Sequence, residues 1–225
     1  VLEYAGELSP SLQQAADRLA ALRPARVAAA PVLLLRAGHG KVDMPRELGA
    51  VRMRHPGIEW TLAQPLLPHV LLRDVARERL EQAPGADPLV APGPDYALRP
   101  PTSDLPAILF VGRGSHDPHA NSDLFKIARL FAEEGGHAIV EACFISQARP
   151  GVFEGIDRCV RLGARSVAVL PYFLHTGVLV KRITQQASEA EERHPIVPIR
   201  VAPHLGNHPN LVRLLLLRAR EAFLG

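Results

Sequence analysis

A histidine between two glycines is the residue of this chain best suited to bind a metal ion or to accept a proton. His39 lies in the sequence RAGHGK, eight positions after Pro31. The flanking glycines let the backbone bend and leave the imidazole uncrowded. Neutral imidazole binds cobalt, nickel, iron and zinc ions and titrates near neutral pH. His39 is therefore a candidate metal ligand or general base, although a histidine at this spacing can equally be structural or solvated.

An arginine in a glycine-rich loop is the second candidate. Arg113 belongs to the sequence GRGS, directly after the apolar residues 108–111. A guanidinium pairs with a carboxylate through two parallel hydrogen bonds, so Arg113 could hold an anionic ligand, or it could be a turn arginine in solvent. A phosphate at the N-terminus of the following helix is disfavoured, because the loop lacks the complete G-x-G-x-x-G pattern and a Walker lysine.

Several other polar residues lie near the ends of apolar segments. Glu3 and Glu7 could help bind a cation or accept a proton, or they could be solvated turn residues. His116 and His119 follow the GRGS loop and are expected to be exposed. His175, in the sequence YFLHTG, also follows an apolar segment.

A tandem duplication supplies the elements that position these residues. Residues 27–35 (VAAAPVLLL) and 167–174 (VAVLPYFL) are two versions of one segment, 140 positions apart. In this register His175 matches Leu35, whereas His39 matches Leu179, so the two loops are predicted to be chemically different. The same register aligns Pro10 with Pro150 and Lys41 with Lys181, and it aligns the two His-Pro pairs, 55–56 and 194–195, to within one residue.

Alternating strands and helices predict an α/β fold built from right-handed βαβ units with parallel sheets. Strands are predicted at 27–30, 59–62, 108–111, 139–144, 167–170 and 199–202. Helices are predicted at 10–22 with Ser9 as the N-cap, from Asp43 to about 55, at 69–82, from Pro118 with Asp117 as the cap, and at 151–162, 180–194 and 209–223. Ligands of such sheets bind beyond the carboxyl ends of the strands, where the GRGS and RAGHGK loops lie.

These elements form two tandem Rossmann-like (flavodoxin-like) domains in the prediction. The first covers residues 1–83 and the second residues 107–225, and the linker 84–106 is rich in proline, glycine and aspartate. The second domain opens with residues 108–118 (ILFVGRGSHDP), for which the first has no counterpart, because Val1 already lies downstream of that place. The first domain is therefore expected to lack its first strand and helix.

Composition restricts the class of protein. Of 225 residues, 47% are hydrophobic and the net charge is +3, which permits an anionic small molecule. Aromatic residues do not alternate with the scattered arginines, so nucleic acid is disfavoured. No apolar run is long enough to span a bilayer and no signal peptide is recognisable, which predicts a cytoplasmic protein without a membrane partner. Cys143 and Cys159 are expected to be buried thiols.

Three segments in this order resemble the long, two-domain sirohydrochlorin chelatases of the CbiX/SirB type. The segments are PVLLLRAGHGKVDMP, FVGRGSHDPHANSDLFKIARL and LPYFLHTGVLVKRI. The resemblance covers nearly the whole chain and implies the class II chelatase fold. Members of the family insert divalent cobalt or iron into sirohydrochlorin for cobalamin or sirohaem synthesis. They need no nucleotide, and no iron–sulfur centre is expected here because the chain carries no cysteine cluster.

The resemblance also implies roles for individual residues. His39 corresponds to the metal-binding histidine of the family, and Glu7, or Glu3 across a short gap, corresponds to its acidic partner. Arg113, Ser115 and His175 are assigned to binding the carboxylates of sirohydrochlorin. Arg113 stands where an intact GHGS loop would carry a metal-binding histidine, so the second domain is expected to keep the scaffold with a different task. The oligomeric state is expected to be monomer or homodimer.

One departure from the family pattern concerns the start of the chain. The family's first domain begins with a strand and a GHGS loop whose histidine is the main partner of the residue at His39. In a sheet of order 2-1-3-4 that strand is central, so the 225-residue chain is expected to have weak or no chelatase activity. Two other functions remain open at this point: a non-catalytic protein that binds a tetrapyrrole or a metal ion, and a flavodoxin-like nucleotide-binding module.

Overall fold

The computed structural model describes residues 11–35, 42–85 and 105–224, and these residues form an α/β protein with parallel strands. The first half contains α1 (Leu12–Ala20), β1 (Arg26–Ala29), α2 (Met44–Arg54), β2 (Glu59–Leu62) and α3 (Val70–Glu81). The second half contains β3 (Ala107–Gly112), α4 (Pro118–Gly135), β4 (Val140–Phe144), α5 (Val152–Arg161), β5 (Val167–Pro171), α6 (Val178–Arg193), β6 (Ile199–Val201) and α7 (Pro209–Leu224).

The second half forms a four-stranded parallel sheet in the order β4-β3-β5-β6. Counted within this half, the order is 2-1-3-4, the strand order that the resemblance implies for the family's first domain. The chain turns to one side of the sheet after β3 and to the other after β5. The loops that follow these two neighbouring strands therefore border the switch point at which parallel sheets bind ligands.

Apolar residues on both faces keep this sheet in the interior. All six residues of β3 are buried, which is typical of a strand covered by helices on both sides. Leu109 and Val111 face a core shared with α5 and α6, whereas Phe110 packs edge-on against Phe131 of α4, with ring centroids 5.3 Å apart.

In the first half, β1 and β2 pair in parallel, and their residues pack over a small apolar core. The core consists of Ala16, Leu48, Val51 and Trp60. The predicted elements are present, but the predicted cap of α1 is wrong. Ser11, not Ser9, is the N-cap: its hydroxyl accepts a hydrogen bond from Gln14 N at 3.2 Å, and Ser11 N donates to Gln14 Oε1 at 3.0 Å. The S-x-x-Q capping box determines where the helix begins.

The predicted caps of α2 and α4 have different outcomes. Asp117 caps α4 as predicted, because its carboxylate accepts a hydrogen bond from His119 N at 3.0 Å. Asp43 stands at the N-cap position of α2, but its carboxylate makes no capping hydrogen bond. Its backbone is already helical there, and its Oδ1 lies 3.5 Å from Arg46 Nη2.

A histidine–aspartate hydrogen bond is repeated in both halves. His55 Nε2 lies 2.7 Å from Asp17 Oδ1, and His194 Nε2 lies 2.7 Å from Asp157 Oδ1. In each half the bond joins the residue that ends one helix to the preceding helix. The duplicated His-Pro pairs of the sequence therefore have a structural role.

The structure divides into two compact units that differ from the sequence repeats. The first unit contains the described residues up to Leu67 and from Leu211 onward, and the second contains 68–210. Helix α3, the last helix of the first repeat, thus packs in the second unit, where Arg73 Nε donates to Glu134 Oε1 at 2.8 Å. Helix α7 packs in the first unit, where Arg218 Nη2 donates to Leu66 O at 3.1 Å. The predicted domains 1–83 and 107–225 describe the duplication, whereas the units describe the packing.

Within the described residues, no helix combines the length and apolarity required to cross a membrane.

Candidate functional site

The loop after β3 is held in one shape by hydrogen bonds from its own residues. Ser115 N donates to Asn121 Oδ1 at 2.9 Å, and Asn121 Nδ2 donates to Ser115 O at 2.8 Å. The Ser115 hydroxyl accepts a hydrogen bond from Asp117 N at 3.0 Å. Ser115 therefore shapes the loop, and its hydroxyl proton remains available to donate to a ligand.

The same loop is fixed against the chain that follows β4. Ser146 N donates to Arg113 O at 3.1 Å. Gly114 has a φ of +85°, and a Cβ atom there would lie 2.8 Å from Ala148 N, so only glycine fits this position. The backbone of Arg113 is thus held on both sides while its side chain is exposed. None of the described residues pairs with its guanidinium.

Nine of the ten histidines lie in the described residues, and five of them have partners inside the fold. His55 and His194 bind aspartates, and His137 Nδ1 lies 3.0 Å from Pro106 O. His69 and His208 cap α3 and α7 through Nδ1, and His208 Nε2 also lies 2.8 Å from Glu78 Oε2. These five histidines hold helices and loops in place.

The other four histidines have no ring hydrogen bond to any described residue, and all four follow the carboxyl ends of neighbouring strands in the second unit. They are His116 and His119 after β3, His175 after β5 and His204 after β6. The predicted exposure of His116 and His119 is confirmed, and His175 is also exposed. Together with Arg113 they give this edge of the sheet a set of unpaired groups that bind anions when protonated or permanently charged.

His204 is the residue of this set that the sequence analysis missed. It lies three residues after β6, as His175 lies four residues after β5, and both positions are beyond the carboxyl end of a strand. The rule that drew attention to His175 would have found it too. The sequence APHLGNHP contains two histidines that spacing alone does not distinguish. In the structure only His208 caps a helix.

The environment of His204 favours its neutral form. Partial burial lowers the pKa of His204, and the positive charges of Arg79 and His175 lower this pKa further. Arg79 is held beside the loop because its Nε and Nη2 donate to Leu205 O at 3.0 and 2.9 Å. The edge of the second unit thus combines fixed positive charge with an imidazole that has no acidic partner among the described residues.

The metal-binding residues predicted for the first half lie outside the described residues. These are His39, Glu3 and Glu7. In the sequence His39 lies between β1 and α2. Within the part of the chain that the structure describes, no three histidine, cysteine, aspartate or glutamate residues come together as a metal site. The metal-binding roles therefore stay predictions.

The two cysteines are buried, as predicted. Burial, together with the negative charge of Glu141, raises the pKa of the Cys159 thiol to about 12, and burial also raises the pKa of Cys143. Both residues remain protonated thiols at neutral pH, whereas a metal ligand must be a thiolate. Cys143 and Cys159 are core residues between β4 and α5.

A protein-family comparison matches the CbiX model to residues 3–83 and 107–222. The chain belongs to the CbiX family. The residues between the two matched segments, 84–106, are the range that composition marks as a linker.

Curated relatives of this CbiX-family chain carry names of metal chelatases. A sirohydrochlorin cobaltochelatase of Priestia megaterium is 33% identical over 216 residues, which cover 96% of this chain and 67% of the relative. A sirohydrochlorin ferrochelatase of the same organism is 29% identical, over 92% of this chain and 71% of the relative. A sirohydrochlorin ferrochelatase of Bacillus subtilis (strain 168) is 26% identical, over 87% and 68%.

Solved structures show the same fold. SirB from Bacillus subtilis with Fe3+ superposes with a TM-score of 0.77 at 24% identity, and covers 96% of this chain and 78% of its own. SirB from Bacillus subtilis subspecies spizizenii with cobalt has a TM-score of 0.71 at 22% identity, over 96% and 76%. The predicted α/β chelatase fold is confirmed.

Proposed function

We propose that this CbiX-family chain is a sirohydrochlorin chelatase, a lyase that inserts divalent cobalt or iron into sirohydrochlorin for cobalamin or sirohaem biosynthesis. The observation that supports it best is the edge of the second unit, where the side chains of Arg113 and four histidines have no hydrogen-bond partner among the described residues. Sirohydrochlorin carries eight carboxylates, and unpaired guanidinium and imidazole groups are suited to bind them. The names of the relatives give the same substrate.

In this proposal the second unit holds the substrate. Arg113 binds one carboxylate with two parallel hydrogen bonds, since its side chain is exposed and its backbone is fixed. The Ser115 hydroxyl accepts a hydrogen bond from Asp117 N, and this bond does not use its own proton. Ser115 therefore donates that proton to the same or a neighbouring carboxylate. His175 adds a further donor from the loop after β5, next to β3 in the sheet.

The metal side of the reaction is assigned to the first half. His39 binds the incoming metal ion, and Glu7, or Glu3 in its place, is the acidic partner. Insertion of M2+ releases two pyrrole N–H protons while the ion loses water ligands, so a site needs weak ligands and a base. Imidazole and carboxylate provide both functions. The metal ion and sirohydrochlorin are both substrates, and no nucleotide or iron–sulfur cluster takes part.

Insertion of cobalt into sirohydrochlorin, followed by absorbance without oxygen, tests this function. We expect insertion by this chain to be weak but still faster than the spontaneous reaction, and we expect His39→Ala to lose this acceleration. Lys126→Gln, which removes one exposed charge from α4, is the control and should insert cobalt as the parent chain does. If the chain retains sirohydrochlorin and cobalt together without accelerating insertion, the proposed enzymatic function is wrong and the chain is a binding protein.

A further inference from the structure

We infer that His204, with His175 and Arg79, forms a second carboxylate-binding point for the tetrapyrrole, and that His204 takes up a proton when the carboxylate binds. The inference rests on the proposed function, because the ligand is taken to be an anionic tetrapyrrole. It adds two residues, His204 and Arg79, to those assigned to the substrate. It also makes substrate affinity depend on pH through one identified group.

The backbone brings the two histidines to one place. Strands β5 and β6 are neighbours in parallel register, so their carboxyl ends lie side by side. The loops that follow are joined by a hydrogen bond from Leu205 N to Phe173 O at 3.0 Å. His204 is adjacent to one end of this bond, and His175 is two residues from the other. The backbone positions of both histidines are therefore set by the sheet and by the hydrogen bond between the two loops.

Arg79 adds a permanent charge whose hydrogen bonds go to neutral oxygen atoms. Its Nε and Nη2 donate to Leu205 O, and its Nη1 donates to Gln82 Oε1 at 2.8 Å. The hydrogen bond from His208 and, to a smaller extent, the charge of Arg79 lower the pKa of the nearby Glu78. The Oε2 atom of Glu78 lies 2.8 Å from His208 Nε2, so this carboxylate is already paired. Arg79 therefore keeps a positive field beside His204 that an incoming anion can use.

Proton uptake follows from the charges around His204. Arg79 of α3 and His175 of the loop after β5 are the charged groups that act on it, and the Glu78 carboxylate next to Arg79 in α3 is paired with His208. Burial and the first two groups lower the pKa of His204, so the imidazole is neutral at pH 7 without ligand. A carboxylate bound among these groups offsets the nearby positive charge and stabilises the protonated imidazole, which raises this pKa.

The sign of the pH dependence is then fixed by linkage. Between the lowered pKa of free His204 and the raised pKa in the complex, the complex holds one more proton than the free protein. Affinity therefore rises as the pH falls through this interval, by up to about tenfold per pH unit for a complete proton. Above the raised pKa, binding takes up no proton at His204 and this contribution is absent.

The surroundings favour an anion over a metal ion at this place. No described carboxylate is available beside the two histidines, since Glu78 is already paired with His208. The described residues contain no set of three metal-binding side chains, and Arg79 repels a cation. A titration with cobalt in the absence of tetrapyrrole tests whether this place binds a metal ion instead.

The test measures the dissociation constant of metal-free sirohydrochlorin between pH 6 and 8 by absorbance, without oxygen. For the parent chain we expect affinity to weaken as the pH rises. In His204→Gln, the affinity at pH 6 should fall about fivefold. The ratio of the dissociation constant at pH 8 to that at pH 6 should be smaller than in the parent by about threefold or more. Lys126→Gln controls for loss of a distant charge and should follow the parent. Calorimetry in buffers of different ionisation enthalpy should detect proton uptake in the parent and less uptake in His204→Gln.

The outcomes separate the two proposals. If the parent chain does not bind sirohydrochlorin, the proposed function fails and this inference fails with it. If the parent binds but His204→Gln has the same affinity, pH profile and proton uptake, the inference alone is wrong. It is also wrong if His204→Gln abolishes binding of cobalt in the absence of tetrapyrrole, because the pair is then a metal site.

Discussion

Hydrogen-bond partners distinguish the histidines that support the fold from those available to a ligand. His55 and His194 end helices and bind aspartates, whereas His175 and His204 have no ring partner among the described residues. Sequence spacing alone does not make this distinction, because all four lie after apolar segments or helices. The positions of Arg113 after β3 and of His204 after β6 can be predicted from the sequence. The placement of Arg79 beside His204 cannot, because it depends on hydrogen bonds from α3 to the distant Leu205 O.

Arg113 gives the first prediction at the scale of one residue. Arg113→Gln removes the guanidinium and should weaken sirohydrochlorin binding about tenfold or more, because a charge-assisted pair of hydrogen bonds is lost. Arg113→Lys keeps the charge without the planar fork and should have intermediate affinity. Equilibrium titration monitored by absorbance measures both. Equal affinities for the parent chain and Arg113→Gln would show that this arginine does not contact the substrate.

His137 gives a prediction about stability. Burial lowers the pKa of His137, so as the pH falls below about 6.5 the unfolded chain gains a proton that the folded chain resists. The parent should therefore lose stability between pH 7 and pH 5 in part through His137. His137→Gln should be less stable at pH 7, by about 1 kcal/mol, since the bond to Pro106 O is lost. The urea midpoint of His137→Gln should nevertheless fall less between pH 7 and pH 5 than that of the parent. If the midpoints of the two proteins differ by the same amount at both pH values, this account is wrong.

At the scale of elements, hydrophobic pattern and capping residues predict the strands and helices closely. The error at the start of α1 shows where this approach is weakest: Ser9 and Ser11 both fit an N-cap, and the reciprocal bond to Gln14 makes Ser11 the cap. The close approach of α5 to the sheet could not be predicted from the sequence pattern either. It depends on Gly155, where a Cβ atom would lie 2.9 Å from the Cβ of Cys143.

Two glycine substitutions test this packing. Gly155→Ala should destabilise the protein by about 1 to 3 kcal/mol, because its methyl group would also lie 3.0 Å from Leu109 Cδ1 in a close-packed core. Gly49→Ala in α2 is the matched control, since nothing lies within 4 Å of its Cβ position. The control should stabilise the protein by up to about 1 kcal/mol through helix propensity. Urea unfolding measures both, and destabilisation of similar size in the two variants would refute the packing argument.

At the scale of the whole molecule, the sequence shows a duplication but not which helix packs in which unit. Both α3 and α7 are helices at the ends of their repeats, and their apolar residues do not by themselves specify a partner. Specific contacts decide the arrangement: Arg73 bonds to Glu134 in the second unit, and Arg218 bonds to Leu66 O in the first. Such contacts between distant parts of the sequence cannot be inferred from periodicity.

Because α3 packs in the second unit and α7 in the first, the structure predicts which fragment folds. A fragment of residues 68–210 should unfold in one cooperative transition, because it contains every element of the second unit. A fragment of residues 107–210 lacks α3 and with it the buried Leu72, Val75, Ala76 and Leu80. It should be less stable by more than about 3 kcal/mol, given about 1.5 to 3 kcal/mol for each large apolar side chain. Equal urea midpoints for the two fragments would show that α3 does not belong to the unit.

The proposed division of labour is that the first half handles the metal ion and the second unit holds the tetrapyrrole. Steady-state cobalt insertion into sirohydrochlorin by the parent chain, His39→Ala and Arg113→Gln tests this claim most directly. We predict that insertion by His39→Ala falls to the rate of the spontaneous reaction, as expected for loss of a metal ligand or base. Arg113→Gln should raise KM about tenfold with little change in kcat. Insertion rates that are the same in all three proteins would contradict the account.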